Sequence, residues 1–145
     1  MKTNKVKILI LALIAGLVLL TGCTPTQTVK TAETAKEDTS WIFHDIVDAE
    51  FVKAHMSVPM PENVLLIDAR PYKGKYAKGH IPGAINITFS EFDKKINLLP
   101  KDKNTLLIYY CEGVKCKLSH KSAQKAEKLG YKNVKVYAKG YPEWV

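Results

Sequence analysis

The sequence predicts an α/β domain with a mainly parallel β-sheet, because apolar runs alternate with helical patterns along the chain. Three short apolar runs lie at residues 63–68, 105–110 and 133–137. The first two show no alternation of apolar and polar residues, which is typical of strands covered on both faces of a parallel sheet. Amphipathic helical patterns lie between the runs. Strands that alternate with helices in this way indicate the α/β class.

Turn and capping residues place the remaining elements. The sequence GAINI at residues 83–87 is consistent with a short fourth strand. Asp48 is the expected N-cap of a first helix, Ser90 of a second and Ser119 of a third, because their side-chain oxygens precede helical patterns and can accept from first-turn N–H groups. Gly130 is expected to end the third helix.

The N-terminal segment, residues 1–22, reads as a bacterial lipoprotein signal peptide and not as part of the fold. Three lysines precede an uncharged apolar run of 13 residues, 8–20. A run of this length is short for a membrane span and typical of a signal-peptide core. The run ends in Leu-Thr-Gly-Cys, which resembles the bacterial lipobox, and the resemblance implies lipidation of Cys23. The alternative is an uncleaved transmembrane anchor.

Either interpretation of the N-terminus predicts an extracytoplasmic domain held at a bacterial membrane, either the cell membrane or the outer membrane. Residues 23–40 then comprise the lipidated cysteine and a flexible tether, because the segment is rich in threonine, alanine and charge and has no large aromatic residue. Residues 41–145 remain as a single folded domain of ordinary size.

The chain is moderately basic. Its net charge is +8, and removal of residues 1–22, which contain three lysines and no acidic residue, lowers the charge to +5. Such a charge would suit anionic lipid head groups or small anionic substrates, although an ordinary lysine-covered surface explains it most simply. Lysine accounts for 21 of the 22 basic residues. The sequence has no basic stripe with interleaved aromatic residues, so we expect no binding to nucleic acid.

Cys111 occupies the position in which open α/β folds place their chemistry. It follows the apolar run 105–110 directly and precedes the third helical pattern. Ligands of such sheets bind beyond the carboxyl ends of the strands, and the amides of a loop and of a helix N-terminus stabilise a thiolate. The alternative is a buried, inert cysteine. The glycine, the lysines and the second cysteine that follow favour the reactive one.

Four motifs, taken in order, resemble those of the rhodanese-like domain, and the resemblance covers about residues 43–145. They are D-x-R (Asp68 to Arg70), G-H-I-P-G-A (residues 79–84), a cysteine at the end of an apolar strand (Cys111) and G-x-x-x-W (Gly140 to Trp144). The resemblance implies a doubly wound sheet of about five parallel strands flanked by helices.

The resemblance also implies sulfane sulfur transfer in two steps. Cys111 aligns with the nucleophile, which takes the outer sulfur of thiosulfate or a polysulfide as a persulfide and passes it to an acceptor such as a thiol. This is covalent catalysis, and the acceptor could equally be a protein. No cofactor is expected. A metal site is disfavoured, because Cys111, Cys116 and His120 supply three ligands where structural zinc takes about four.

The expected active-site loop departs from the common form of the family, C-x-x-G-x-R-S. It consists of Glu112, Gly113, Val114, Lys115, Cys116 and Lys117. Ser119 comes eight residues after Cys111 and not six, and the loop has no arginine. Its lysines can hold an anion as point charges but lack the bidentate fork of arginine. The C-x5-R motif of phosphatase-like relatives is also absent, because Lys117 takes the sixth position.

Cys116 is a candidate resolving thiol. Five residues of a turn that contains Gly113 allow two Cα atoms to approach the roughly 4.4–6.8 Å that a disulfide requires. Cys116 could then attack the Cys111 persulfide, release sulfide and leave a disulfide. The alternative is that Cys116 only packs beneath the loop.

Three residues outside the loop are expected to support it. Arg70, the only arginine of the chain, is expected to tie the sheet edge to neighbouring acids or to the loop, and Asp68 to support the loop from a strand end. His80 is expected to hold its own loop by hydrogen bonds. Glu112 would raise the thiol pKa if it pointed inward, and we expect it to point to solvent. Relatives usually continue past the closing tryptophan, so we expect one covering element to be missing or supplied by a partner.

Three functions therefore stand at this stage. The first is a membrane-anchored sulfurtransferase that works through a Cys111 persulfide. The second is a thiol–disulfide redox protein in which Cys111 and Cys116 cycle. The third is a non-catalytic sulfur carrier or interaction module.

Overall fold

The computed structural model describes residues 38–145. The predicted signal peptide, the predicted lipidation site Cys23 and most of the predicted tether lie outside the described residues. Within residues 38–145, none of the helices has both the length and the apolar character that a membrane crossing needs. These residues lie within one compact unit that contains a complete sheet and core, so we expect this part of the chain to fold on its own.

The domain is a five-stranded parallel sheet with helices on both faces. The strands are β1 (Ile46–Val47), β2 (Val64–Asp68), β3 (Ile85–Asn86), β4 (Leu106–Tyr110) and β5 (Val134–Tyr137), in the spatial order β1-β5-β4-β2-β3. The α-helices are α1 (Ala49–His55), α2 (Lys117–Lys128) and α3 (Tyr141–Trp144). Two 3₁₀ segments, Tyr76–Lys78 and Phe89–Leu98, complete the described chain, and the second is kinked at Lys95.

The four predicted strands and the α/β class are confirmed. The fifth strand, β1, was not predicted, because two residues are too few to show any periodicity. It forms by pairing with β5, with Ile46 opposite Val136. The five parallel strands agree with the number implied by the family resemblance.

Side chains that alternate along the strands build one apolar core on each face of the sheet. On one face, Leu107 and Tyr109 of β4 pack in a cluster with Ala123 and Ala126 of α2. On the other face, Ile108 and Tyr110 pack in a cluster with Val52 of α1. Successive residues of a strand point to opposite faces, so a strand covered on both sides must be apolar throughout. This explains the unbroken apolar run that ends at Cys111.

One of the three predicted helix caps is correct. Asp48 precedes α1, and its Oδ1 accepts the N–H of Phe51 at 2.8 Å. Ser119 is not a cap but a buried residue inside α2, which begins after Cys116. The physical reason is a tight turn, in which the N–H of Cys116 donates to the carbonyl of Gly113 at 2.8 Å and leads the chain straight into the helix. The Ser90 prediction is also wrong, because the 3₁₀ segment begins after Thr88.

Candidate active site

Cys111 lies at the carboxyl end of the central strand β4. The residue is 1% exposed, and its sulfur is bonded to that of Cys116, whose Cα atom is 6.2 Å away. Cys116 is only partly buried and serves as the N-cap residue of α2. The two sulfurs therefore differ in access, although they share one short loop.

The loop between the two cysteines is exposed and turns back on itself. Gly113 has φ of +137°, a backbone region that favours glycine. Glu112, Val114 and Lys115 are exposed, as is Lys117 in the first turn of α2. No side chain caps the N-terminus of this 12-residue helix, so its first N–H groups offer partial positive charge to the loop. This is an electropositive setting for a thiolate.

Gly140 packs directly beneath the candidate nucleophile. Its φ is +64°, and a Cβ atom built at this position would lie 2.1 Å from the Cys111 carbonyl oxygen. The same carbonyl accepts the N–H of Tyr141 at 3.0 Å. The G-x-x-x-W motif therefore begins where the chain passes closest to Cys111, and only glycine fits this contact.

A buried ion pair forms the floor of the rim beside the loop. The carboxylate of Asp68, fully buried, accepts from Arg70 Nε at 3.0 Å and from Nη2 at 2.7 Å. Arg70, 2% exposed, also donates from Nη2 to the carbonyl of Gly79 at 2.8 Å. Its guanidinium lies 4.1 Å from the ring centroid of Tyr141. Arg70 thus joins the end of β2 to the G-H-I-P-G-A segment, as expected for a supporting residue.

Glu112 does not extend freely into solvent as expected. Its carboxylate accepts from Lys75 Nζ at 2.8 Å and from Arg70 Nη1 at 3.4 Å, although 42% of the side chain stays exposed. The hydrogen bond from Lys75, followed by that from Arg70, holds the pKa of Glu112 below its usual value. These cations, with Lys78, line a cavity of about 260 Å³. A negative charge beside a thiol raises the thiol pKa, and here that charge is met by cations.

His80 lies outside the immediate surroundings of the loop. It is exposed, its Nδ1 is 3.0 Å from the carbonyl oxygen of Tyr76, and its ring stacks on that of Tyr76 with centroids 3.9 Å apart. Tyr76 in turn donates its hydroxyl to the carbonyl of Ala84 at 2.8 Å. These contacts brace the G-H-I-P-G-A segment from within.

His120 is a residue of the site that sequence reasoning did not select as functional. It is 1% exposed in α2, and its Nδ1 accepts the N–H of Phe43 at 3.1 Å. Because Nδ1 accepts, the neutral ring carries its proton on Nε2. Burial lowers the pKa of His120. Trp41 meets the ring edge-on, with centroids 5.1 Å apart.

A groove of about 460 Å³ adjoins the loop on the side of β1 and β5. We call it the apolar groove; its walls include Trp41, Ile42, Ile46, Val47, Val114 and His120. Sequence reasoning missed it, because its walls come from four separate segments of the chain. Trp41, a large aromatic residue directly after the predicted tether, was the one available signal. Within residues 38–145, no group of three or more His, Cys, Asp or Glu side chains is arranged to hold a metal ion.

Replacement of Gly140 by alanine should destabilise the domain by about 2–4 kcal/mol, because it combines left-handed backbone strain with a steric clash. Urea denaturation measures the change. Gly74→Ala is the matched control, since nothing lies within 4 Å of a Cβ atom there. Equal stability of the two variants would contradict the proposed contact with Cys111.

Replacement of Arg70 by methionine should cost about 3–5 kcal/mol of unfolding free energy, because it leaves the Asp68 carboxylate buried and unpaired. The double variant Asp68→Asn/Arg70→Met should recover part of that loss. Lys75→Met, which removes an exposed partner of Glu112, should change stability by less than about 1 kcal/mol. Chemical denaturation of the three variants tests the order, and a double variant less stable than Arg70→Met would refute it.

The unfolding free energy should fall as the pH drops from about 6.5 to 5. His120 has a pKa below its ordinary value of 6.5 in the folded protein, so the unfolded chain binds more protons in this window. The slope should be at most about 1.4 kcal/mol per pH unit for this one group. Denaturation at several pH values should show a smaller slope for His120→Gln. An unchanged slope would mean that another group is responsible.

Comparison with known proteins identifies the family. The profile of the rhodanese-like domain matches residues 32–145. The chain is 36% identical over 81 residues to an HTH-type transcriptional regulator of Mycobacterium tuberculosis, covering 56% of this chain and 34% of that protein. It is 31% identical over 96 residues to thiosulfate sulfurtransferase/rhodanese-like domain-containing protein 3 of Mus musculus, covering 58% and 59%. The chain thus spans about a third and about three fifths of these two relatives.

A solved structure supports the fold. The human single-domain sulfurtransferase superposes with a TM-score of 0.57 at 24% identity, over 68% of this chain and 93% of that chain. Its likeness extends to the five-stranded parallel sheet and its flanking helices. The chain therefore belongs to the rhodanese-like domain family, and its role is of the sulfurtransferase or sulfur-carrier type.

Proposed function

We propose that this chain is a sulfurtransferase that carries sulfane sulfur on Cys111 and uses Cys116 as a resolving thiol. The observation that supports the proposal most directly is the bonded pair of cysteines at the carboxyl end of β4. Cys111 takes the position at which parallel α/β sheets bind their ligands. Its neighbour Cys116 is within bonding distance without any rearrangement of the chain.

The first step is attack by the Cys111 thiolate on the outer sulfur of the donor. With thiosulfate, the sulfur–sulfur bond of the donor breaks and sulfite leaves with the electron pair, so that Cys111 carries a persulfide. An acceptor thiolate can then attack the outer sulfur, which transfers it and restores the Cys111 thiolate. Each step is a nucleophilic displacement at sulfur.

Cys116 opens a second exit from the persulfide. Its thiolate attacks the inner sulfur, that of Cys111, and the outer sulfur leaves as hydrosulfide. The product is the Cys111–Cys116 disulfide, whose reduction consumes two electrons from an external dithiol. Because Cys116 is more exposed than Cys111, the reductant attacks Cys116 first, and Cys111 leaves as the thiolate. The nucleophile is thereby regenerated in its reactive form.

Positive charge around the loop suits anionic donors. Lys115 and Lys117 are exposed beside the cysteines, and the first N–H groups of α2 face the same loop. On the other side, Arg70 and Lys75 line the cavity next to Glu112. A thiosulfate or polysulfide anion would compete with the Glu112 carboxylate for these cations.

A thiol–disulfide redox function is the second candidate, and the disulfide itself favours it. In that case Cys111 and Cys116 would exchange electrons with a partner dithiol without retaining sulfur. A non-catalytic sulfur carrier would load Cys111 but would turn over with no acceptor. In all three cases we propose an extracytoplasmic location with a lipid on Cys23, supported by the order of basic, apolar and lipobox-like segments in residues 1–23.

Intact mass spectrometry of reduced residues 24–145, which omit Cys23, tests the proposal. Exposure to thiosulfate or polysulfide should add one sulfur to the wild-type protein and to Cys116→Ser, and none to Cys111→Ser. Subsequent addition of cyanide should remove that sulfur. Release of sulfide without an added acceptor should be seen in the wild type and lost in Cys116→Ser.

The competing functions give different mass changes. Loss of two hydrogens with no sulfur retained in the wild type, and no sulfur added to Cys116→Ser, would favour the redox protein. Stable sulfur on Cys111 that neither cyanide nor any thiol removes would favour the carrier.

A further inference from the structure

The apolar groove has no part in the transfer of sulfur from an inorganic donor. Thiosulfate has no apolar portion, yet Ile42, Ile46 and Val114 are 42%, 50% and 59% exposed around this one concavity. Single exposed aliphatic residues are ordinary, but a cluster around a groove indicates a binding surface. The volume of about 460 Å³ is in the range of small-molecule sites, roughly 300–1,000 Å³.

The position of the groove connects it to the reactive loop. Ile46 and Val47 form β1, and Ala138 directly follows β5, so the groove lies at the carboxyl edge of the sheet. Val114 is both a wall of the groove and a member of the loop. Its Cα atom is at most about 7 Å from that of Cys116, because two residues separate them along the chain. A ligand in the groove therefore reaches the cysteine loop with its end.

The polar groups of the groove favour an anionic end on an apolar ligand. Lys117 Nζ lies 5.0 Å from the ring centroid of Trp41, and the free N–H groups of α2 begin at the same residue. His120 presents its Nε2–H as a donor, because Nδ1 is engaged by Phe43. The carboxylate of Asp48 also lines the groove, but it accepts the N–H of Phe51 as the cap of α1.

We propose that the apolar groove binds the hydrocarbon body of an organic sulfane-sulfur anion, R–X–S⁻, in which R is aromatic or branched and X is sulfonyl or sulfur. The proposal rests on the sulfurtransferase function and names its substrate class. The Cys111 thiolate attacks the terminal sulfur, the bond between X and that sulfur breaks, and R–X⁻ leaves with the electron pair. With X as sulfonyl the leaving group is a sulfinate, and with X as sulfur it is a thiolate.

The test compares three donors on reduced residues 24–145 by the rate of Cys111 persulfide formation. They are benzenethiosulfonate, methanethiosulfonate and thiosulfate. The wild type should prefer the aromatic donor over the methyl donor by about tenfold or more in kcat/KM, because the ring buries additional apolar surface. Ile46→Gln should reduce that preference to about twofold and leave the rate with thiosulfate unchanged. Leu98→Gln is the matched control, since Leu98 is 49% exposed and lies outside the groove.

A binding measurement separates the groove from the chemistry. Benzenesulfonate has no sulfane sulfur, and it should shift the indole N–H resonance of Trp41 saturably in a ¹⁵N spectrum, more than that of Trp144. Ile46→Gln should weaken this binding by about fivefold or more. Trp41→Phe assigns the resonance.

The outcomes decide between the two proposals. Equal rates with both thiosulfonates in the wild type, or an unchanged preference in Ile46→Gln, would overturn the groove assignment while sulfur transfer from thiosulfate stood. If no donor loads Cys111, the sulfurtransferase proposal fails, and an absent Trp41 shift would then overturn the ligand site as well. A dimer that dissociates on Ile46→Gln, measured by sedimentation, would show that a second copy covers the groove and would also overturn it.

Discussion

The complete burial of β4 is the constraint on which the rest of the structure depends. This strand lies between β5 and β2 in a parallel sheet, and helices cover both of its faces. All five of its residues are buried. Because a strand in this position can tolerate no polar side chain on either face, the first residue free to do chemistry is the one after its last hydrogen-bonded residue. That residue is Cys111.

The single arginine of the chain serves the rim beside that cysteine. The buried pair of Asp68 and Arg70 carries a desolvation cost, and it is offset by several hydrogen bonds of good geometry. In return the guanidinium joins β2, the G-H-I-P-G-A segment and Glu112. The arginine that many relatives carry in the loop is absent, and its place near the site is taken by Arg70, Lys75 and the loop lysines. Recognition of anions by this protein therefore depends on point charges and backbone N–H groups rather than on a bidentate fork within the loop.

The two sides of the cysteine loop have different chemical character. One side holds a small cavity lined by cations and occupied at its edge by Glu112. The other side holds the apolar groove beneath Trp41 and Ile46. A compound with an anionic sulfur end and an apolar body fits this division better than an inorganic anion alone. The unequal exposure of Cys111 and Cys116 adds direction to the chemistry, since an external thiol meets Cys116 first.

The sequence by itself determined the class of the fold, four of the five strands, the Asp48 cap and the strand-terminal position of Cys111. These features depend on neighbouring residues, through apolar runs, capping side chains and short motifs. The tertiary structure alone decided the pairing of β1, the contact between Phe43 and His120, 77 residues apart, and the pair of Lys75 with Glu112, 37 residues apart. It also decided where α2 begins, which moved Ser119 from a cap to the interior. Such features arise where segments distant in the chain meet, and local periodicity carries no information about which partner a residue will find.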